Sequence, residues 1–179
     1  MTDLREIRAT FDDRTIVVYQ AYGAHIAEPA VTAQKFVPPF SLNRMTWIKP
    51  SFLWMMERCG WASKAGQEHV LAIRITRAGW EEALSQAALS SGDTSDAPVV
   101  VQWDPERNLR GHKLNHRSIQ VGLGRAIVGR YVDEWTVAIE DVTPIVKRMK
   151  ADLDDAERLL PVERVYPAPE AIRRRLGMA

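Results

Sequence analysis

The chain has 179 residues and a mass of 20.3 kDa, which suits one domain, since domains hold roughly 100–200 residues. A hydrophobic fraction of 46% is that of a globular protein and excludes disorder as an overall description. Twenty-four Lys and Arg against 23 Asp and Glu leave a net charge of +1, which removes the global case for a polyanion-coating protein. A local basic site stays open.

Cys59 is the only cysteine, so no internal disulfide can form and no CxxC pair exists for metal or redox chemistry. A reducing, cytoplasmic setting is the simplest expectation. The N-terminal stretch MTDLREIRATFDDR is charged and lacks the apolar centre of a signal peptide. Apolar runs fall far short of the roughly 20 residues that cross a bilayer, so no membrane association is expected. Six Trp against four Tyr and four Phe is an unusual balance. Trp combines a large apolar body with an N–H donor and serves cores and ligand cavities alike.

Taken in chain order, residues 15–22 are β-branched and aromatic and predict a buried strand ended by Gly23. Ile26, Ala30, Ala33 and Phe36 recur at helical spacing and predict a short helix closed by Val37-Pro38-Pro39. Residues 44–49 predict a second strand, and Ser51 can cap a helix carrying the stripe Phe52, Met55, Met56 and Cys59 before Gly60. That stripe is core; Trp54 lies off it. Val70–Thr76 alternates as a strand, and Thr76 caps a helix with Trp80, Ala83, Leu84, Ala87 and Ala88 on its apolar side.

Residues 90–98, small and polar with Gly and Pro, predict a flexible loop. Val99–Trp103 predicts a strand, 104–108 a polar turn, and Arg117–Val121 another strand. A helix from about Arg125 would carry Ile127, Tyr131 and Trp135, with reversion to strand over Trp135–Ile139. The last clear helix, about 144–160, opens at Thr143-Pro144 and buries Ile145, Met149, Leu153, Ala156 and Leu160. The tail, 161–179, is rich in Pro and Arg and should wrap the surface. Strands and helices without strict alternation imply an α+β single domain over 1–179, with a mixed or split twisted sheet flanked by helices.

Three polar-aromatic clusters interrupt these apolar elements: Tyr19-Gln20-Ala21-Tyr22, Arg44 to Ser51, and His116-Arg117-Ser118-Ile119-Gln120. Long polar side chains on central strands cost free energy unless a partner or a ligand satisfies them. Alternation puts Arg44 and Thr46 on one face of the second strand, with Trp47 and Lys49 on the other. A cleft lined by Gln, Ser, Lys and Arg with Trp walls suits a nucleotide, whose base stacks on aromatic faces while cations hold its phosphates. The bland alternative pairs Arg44 and Lys49 with Asp104, Glu106 or Glu140 at a sheet edge and satisfies Gln20 and Gln120 from the backbone. No metal is expected: His112 and His116 are four apart, but Gly111 and Asn115 set them in a turn. There is no GxGxxG, no P-loop and no GxSxG elbow. Glu140-Asp141 ends a strand as paired carboxylates, which either begin the next helix cap or serve as base and orienter.

Through VYQAY, RMTWIKPSFLWMM, VLAIRIT, VQWDPER, RSIQVGL and YVDEW…IEDVTP, the chain resembles the uncharacterised family called domain of unknown function 4291 over about Ile7 to Met178. More remotely, the element order is similar to the ADP-ribosyltransferase-like fold, which implies a split sheet and a NAD cleft. That resemblance implies Tyr19 and Gln20 at the first-strand position, Trp47, Lys49 and Ser51 at the second, and Gln120 or Glu140 at the late polar one. It departs from the pattern by offering Tyr or Gln where those transferases carry Arg or His.

Three functions follow as expectations. The first is an enzyme handling a nucleotide or NAD, with ADP-ribosyl transfer as the leading reaction. There Trp47 and Trp54 would stack on rings and Arg44, Lys49 and Arg117 hold phosphates, with Gln120 or Glu140 fixing the ribose. Tyr19, Gln20, Thr46, Ser51, His116 and Ser118 would complete the ligand-binding set. The second is a non-catalytic module for RNA or single-stranded nucleic acid, using Arg110, Lys113, His116, Arg117, Arg125 and Arg130 as a basic groove. The third is a protein-interaction domain presenting an aromatic face.

Overall fold

The computed structural model describes residues 4–179; the first three residues of the N-terminal stretch lie outside them. The chain opens with strands β1 (Leu4–Arg5), β2 (Arg8–Ala9) and β3 (Thr15–Tyr22), then helix α1 (Ala24–Ala33), β4 (Thr46–Ile48) and helix α2 (Phe52–Cys59). Next come β5 (His69–Thr76), α3 (Arg77–Ser85), β6 (Ala87–Leu89), β7 (Val99–Arg107) and β8 (Lys113–Leu123). The rest is α4 (Val128–Arg130), a π-helical turn (Tyr131–Trp135), β9 (Thr136–Asp141), α5 (Thr143–Ala151), α6 (Leu153–Ala156), a 3-10 turn (Glu157–Leu159), β10 (Arg164–Val165) and α7 (Glu170–Arg175). The class is α+β.

Two principal sheets form. One runs β1-β8-β7-β6, with β4 also paired to β8; the other is the antiparallel β3-β5-β9. An isolated bridge between Tyr19 and Lys49 joins them, through a Tyr19 N–H donated to the Lys49 carbonyl at 2.7 Å. Period-two alternation sorts the side chains. Ile48, Val99, Val101, Ile119, Val121 and Leu123 meet Ile16, Val18, Leu71, Ile73 and Ile75 in one core between the sheets. On its other face the three-stranded sheet turns Val17, Tyr19 and Val70 to Phe52, Met55, Met56 and Cys59 of α2 and to Val146 and Met149 of α5. The α2 stripe therefore packs as its spacing implies. Ser51 caps that helix by accepting the Trp54 N–H, and Gly60 closes it in the left-handed conformation.

Several elements differ from the sequence expectation. Ala87 and Ala88 leave the helix and pair in parallel with Val99 and Val100, because the chain turns at Gln86 to supply a strand to β7. The polar turn expected at 104–108 is strand: Asp104 pairs with Ser118 and Pro105 with Arg117, and a bulge between Pro105 and Arg107 accommodates the imide. The reversal falls at Asn108–Gly111 instead. The helix expected over 144–160 breaks at Asp152, whose side chain caps α6. The tail does not merely wrap the surface, since Tyr166 and Leu176 are fully buried in the core between the sheets.

Glu163 fastens this tail, accepting the Phe52 N–H at 2.8 Å beside the Ser51–Glu106 hydrogen bond. Burial, with Glu106 close by, pushes its carboxyl up to about 8 from an ordinary 4.5. The folded chain thus keeps a proton there that the unfolded chain releases from about pH 4.5, so this site's contribution to stability declines as pH rises through 4.5–8. Denaturant titration of Glu163→Gln should flatten that decline, because the amide keeps the acceptor and carries no charge.

Candidate functional site

Strand alternation on the β4-β8-β7 surface puts Trp47, Gln120 and Gln102 on the side opposite the core, and Lys49 follows the same phase. Helix α2 runs past this surface. Trp54 and Arg58, one helical turn apart, look onto it together. Two adjoining cavities result. The first, about 380 Å³, is lined by polar and cationic groups that include Gln20, Tyr22, Arg44, Thr46, Lys49 and Arg58, together with Trp47. The second, about 450 Å³, is lined by Trp47, Lys49, Trp54, Arg58, Gln102, Asp104 and Gln120. Trp47, Lys49 and Arg58 belong to both, which makes the pair one divided cleft.

Trp47 owes its position to Gly122, its partner across the ladder. A Cβ there would stand 2.9 Å from the indole Cη2, so only glycine lets the ring lie against the strand. Lys49 is 7% exposed, and its ammonium finds the Trp47 carbonyl at 3.3 Å and the Trp54 ring at 5.7 Å. No carboxylate among the described residues pairs with it, nor with the side chains of Arg44 or Arg58. Burial first, and then the charge of Arg58, pulls its amine down to about 8 from 10.5. The first cavity thus has three cations and no acidic side chain in its described lining.

Its inner wall is a hydrogen-bonded chain. Tyr131 donates to Gln20 Oε1 at 2.6 Å, and Gln20 Nε2 donates to the Tyr22 hydroxyl at 2.9 Å. Buried Gln20 is satisfied by protein groups. Tyr22, pushed up to about 12 chiefly by burial, stays protonated and keeps its own hydrogen for the cavity.

In the second cavity the floor is a carboxylate held between two amides. Gln102 Nε2 donates to Asp104 Oδ1 at 2.9 Å and Gln120 Nε2 to Asp104 Oδ2 at 3.0 Å.

Of the residues singled out from the sequence, Gln20, Arg44, Thr46, Trp47, Lys49, Trp54 and Gln120 line this cleft. The others do not. Tyr19 packs edge-on against Phe52 on the far face of β3, 5.4 Å between centroids. Ser51 is consumed by capping and by its hydrogen bond to Glu106 at 2.8 Å. Glu140 is exposed on edge strand β9 opposite Ala72. His116 and Arg117 pair with β1 at the other end of β8, and Ser118 is buried opposite Asp104. Of the cations of the expected nucleic-acid groove, Arg110 lies in the turn before β8, Lys113, His116 and Arg117 along β8, and Arg125 and Arg130 after it. Arg110 pairs with Asp154 and Arg130 with Glu82 and Glu134.

The cleft also holds Arg58 and Gln102, which the sequence does not single out, and Asp104, which the sequence offers only as an ion-pair partner. The signal for Arg58 was its i,i+4 relation to Trp54. Asp104 was hidden by the turn-like Asp-Pro dipeptide.

Tyr131→Phe should lower stability by about 1–2 kcal/mol in chemical denaturation, since Gln20 Oε1 then lacks its donor in a buried setting.

No helix among the described residues is long and apolar enough to cross a membrane. No curated protein matches the chain. A family model, described as a domain of unknown function, matches residues 6–166. Covering nearly the whole sequence, including every residue of both cavities, that match places the chain in the DUF4291 family.

Proposed function

We propose that the protein binds a nucleotide in this cleft, with phosphates in the cationic half and the ring in the half walled by Trp47 and Trp54. The observation that carries the reading is Lys49, a buried ammonium with no anionic partner, flanked by the side chains of Arg44 and Arg58. Burying such a charge costs free energy that a bound anion offsets. Tyr22 adds a neutral donor to the same half. NAD is the leading ligand and transfer of its ADP-ribose the leading activity. In that reaction positive charge develops at the ribose as nicotinamide leaves, and Asp104, with Gln120 beside it, is the carboxylate available in the cleft to answer it. Glu140 has no part in this reading.

Isothermal calorimetry with NAD and ADP-ribose, paired with an assay for released nicotinamide, tests both levels. Binding without release removes the transfer activity; absence of binding removes the nucleotide.

The pH dependence follows from Lys49. Its ammonium is half-formed at about pH 8, so affinity for ADP-ribose, whose pyrophosphate does not titrate there, should fall as pH rises through about 8. Lys49→Met should weaken binding about 10–100-fold at pH 7 and abolish the step.

A further inference from the structure

We propose that the second cavity selects planar rings bearing an exocyclic NH2 group, a carboxamide or an amino group, through two carbonyl oxygens that Asp104 holds in place. The inference rests on the nucleotide reading above and specifies which ring the cleft accepts.

A carboxylate only accepts hydrogen bonds. Each Asp104 oxygen takes one amide N–H, Oδ1 from Gln102 and Oδ2 from Gln120. The two glutamines face one another across the β7–β8 ladder, so one carboxylate serves both. Turning either amide over would set its Oε1 against an Asp104 oxygen, lone pair to lone pair. Both amides are therefore locked in one sense. Their Nε2 atoms point to Asp104, and their Oε1 atoms meet no donor among the described residues. A side-chain amide on its own is ambiguous and can present either end to a ligand. This pair is not.

The cavity thus offers acceptors at its floor and the indole side chains of Trp47 and Trp54 in its walls. An NH2 group in the plane of a stacked ring donates two hydrogens and suits that floor. A ring with an oxygen at the same position leaves both carbonyls unsatisfied and meets electron-rich atoms.

Two ligand pairs of matched shape test this on the intact protein by calorimetry. Nicotinamide mononucleotide differs from nicotinic acid mononucleotide by amide against carboxylate, and adenosine diphosphate from inosine diphosphate by amino group against oxygen. The NH2-bearing member of each pair should bind about tenfold more tightly. The second pair is the sharper, because its members carry the same charge, whereas the acid of the first would also meet the Asp104 carboxylate. Asp104→Asn should shrink both ratios toward one, since an asparagine offers one donor and one acceptor and lets one glutamine turn over. Equal binding within each pair, or preference for the oxygen-bearing member, overturns the ring selection and leaves the nucleotide reading intact. Binding of none of the four overturns both.

Discussion

The bridge between Tyr19 and Lys49 is the constraint on which the site depends. Two sheets face each other across a shared apolar core, and at this point their backbones meet, with the Tyr19 N–H on the Lys49 carbonyl at 2.7 Å. Tyr19 is itself locked against Phe52 on the far side. Lys49 is thereby pinned at its backbone from one sheet while its flanking strand β4 is held by β8 of the other. A four-carbon stem would ordinarily carry its charge out to water. Here the direction of the main chain and the neighbouring indoles keep it inward, in the wall common to both cavities.

The electrostatics of the cleft divide along that wall. Lys49 and Arg58 stand in the wall itself; on one side lie Arg44, a protonated tyrosine and a hydrogen-bonded glutamine, and on the other a carboxylate bracketed by amides. The division arises from placement rather than composition, since the chain as a whole is close to neutral. The remaining arginines are largely occupied elsewhere: Arg77 lies over the rings of both Phe11 and Tyr166, Arg130 serves two glutamates, and Arg158 grips Asp155.

Much of this was legible from residue order, for physical reasons that particular residues make plain. The stripe Phe52, Met55, Met56 and Cys59 specified its own helix and its buried side, because 3.6-residue periodicity leaves little choice. The polar interruption at Arg44–Ser51 marked the cleft, because apolar strands do not carry such groups without cause. Single-sequence reading could not see across the ladder. That Gln102 stands opposite Gln120, and that Asp104 falls between their amides, depends on register, which the bulge at Pro105 shifts. Tyr19 and Gln20 show the same limit from the other side. Adjacent residues on one strand point to opposite faces, and only the packing of α2 decides which face is core and which borders a cavity.

The last stretch of chain carries a consequence for synthesis. Leu176 is wholly buried, and its carbonyl accepts hydrogen bonds from Arg5 and from the indole of Trp103. Tyr166 donates its backbone N–H to Ile7, and β10 pairs with β2 near the start. Residues 5–9 thus wait for residues 164–176 before their neighbours exist. Such long-range closure slows folding. Until that later segment has been made, the apolar surfaces around Ile7 and Trp103 stay open to the solvent.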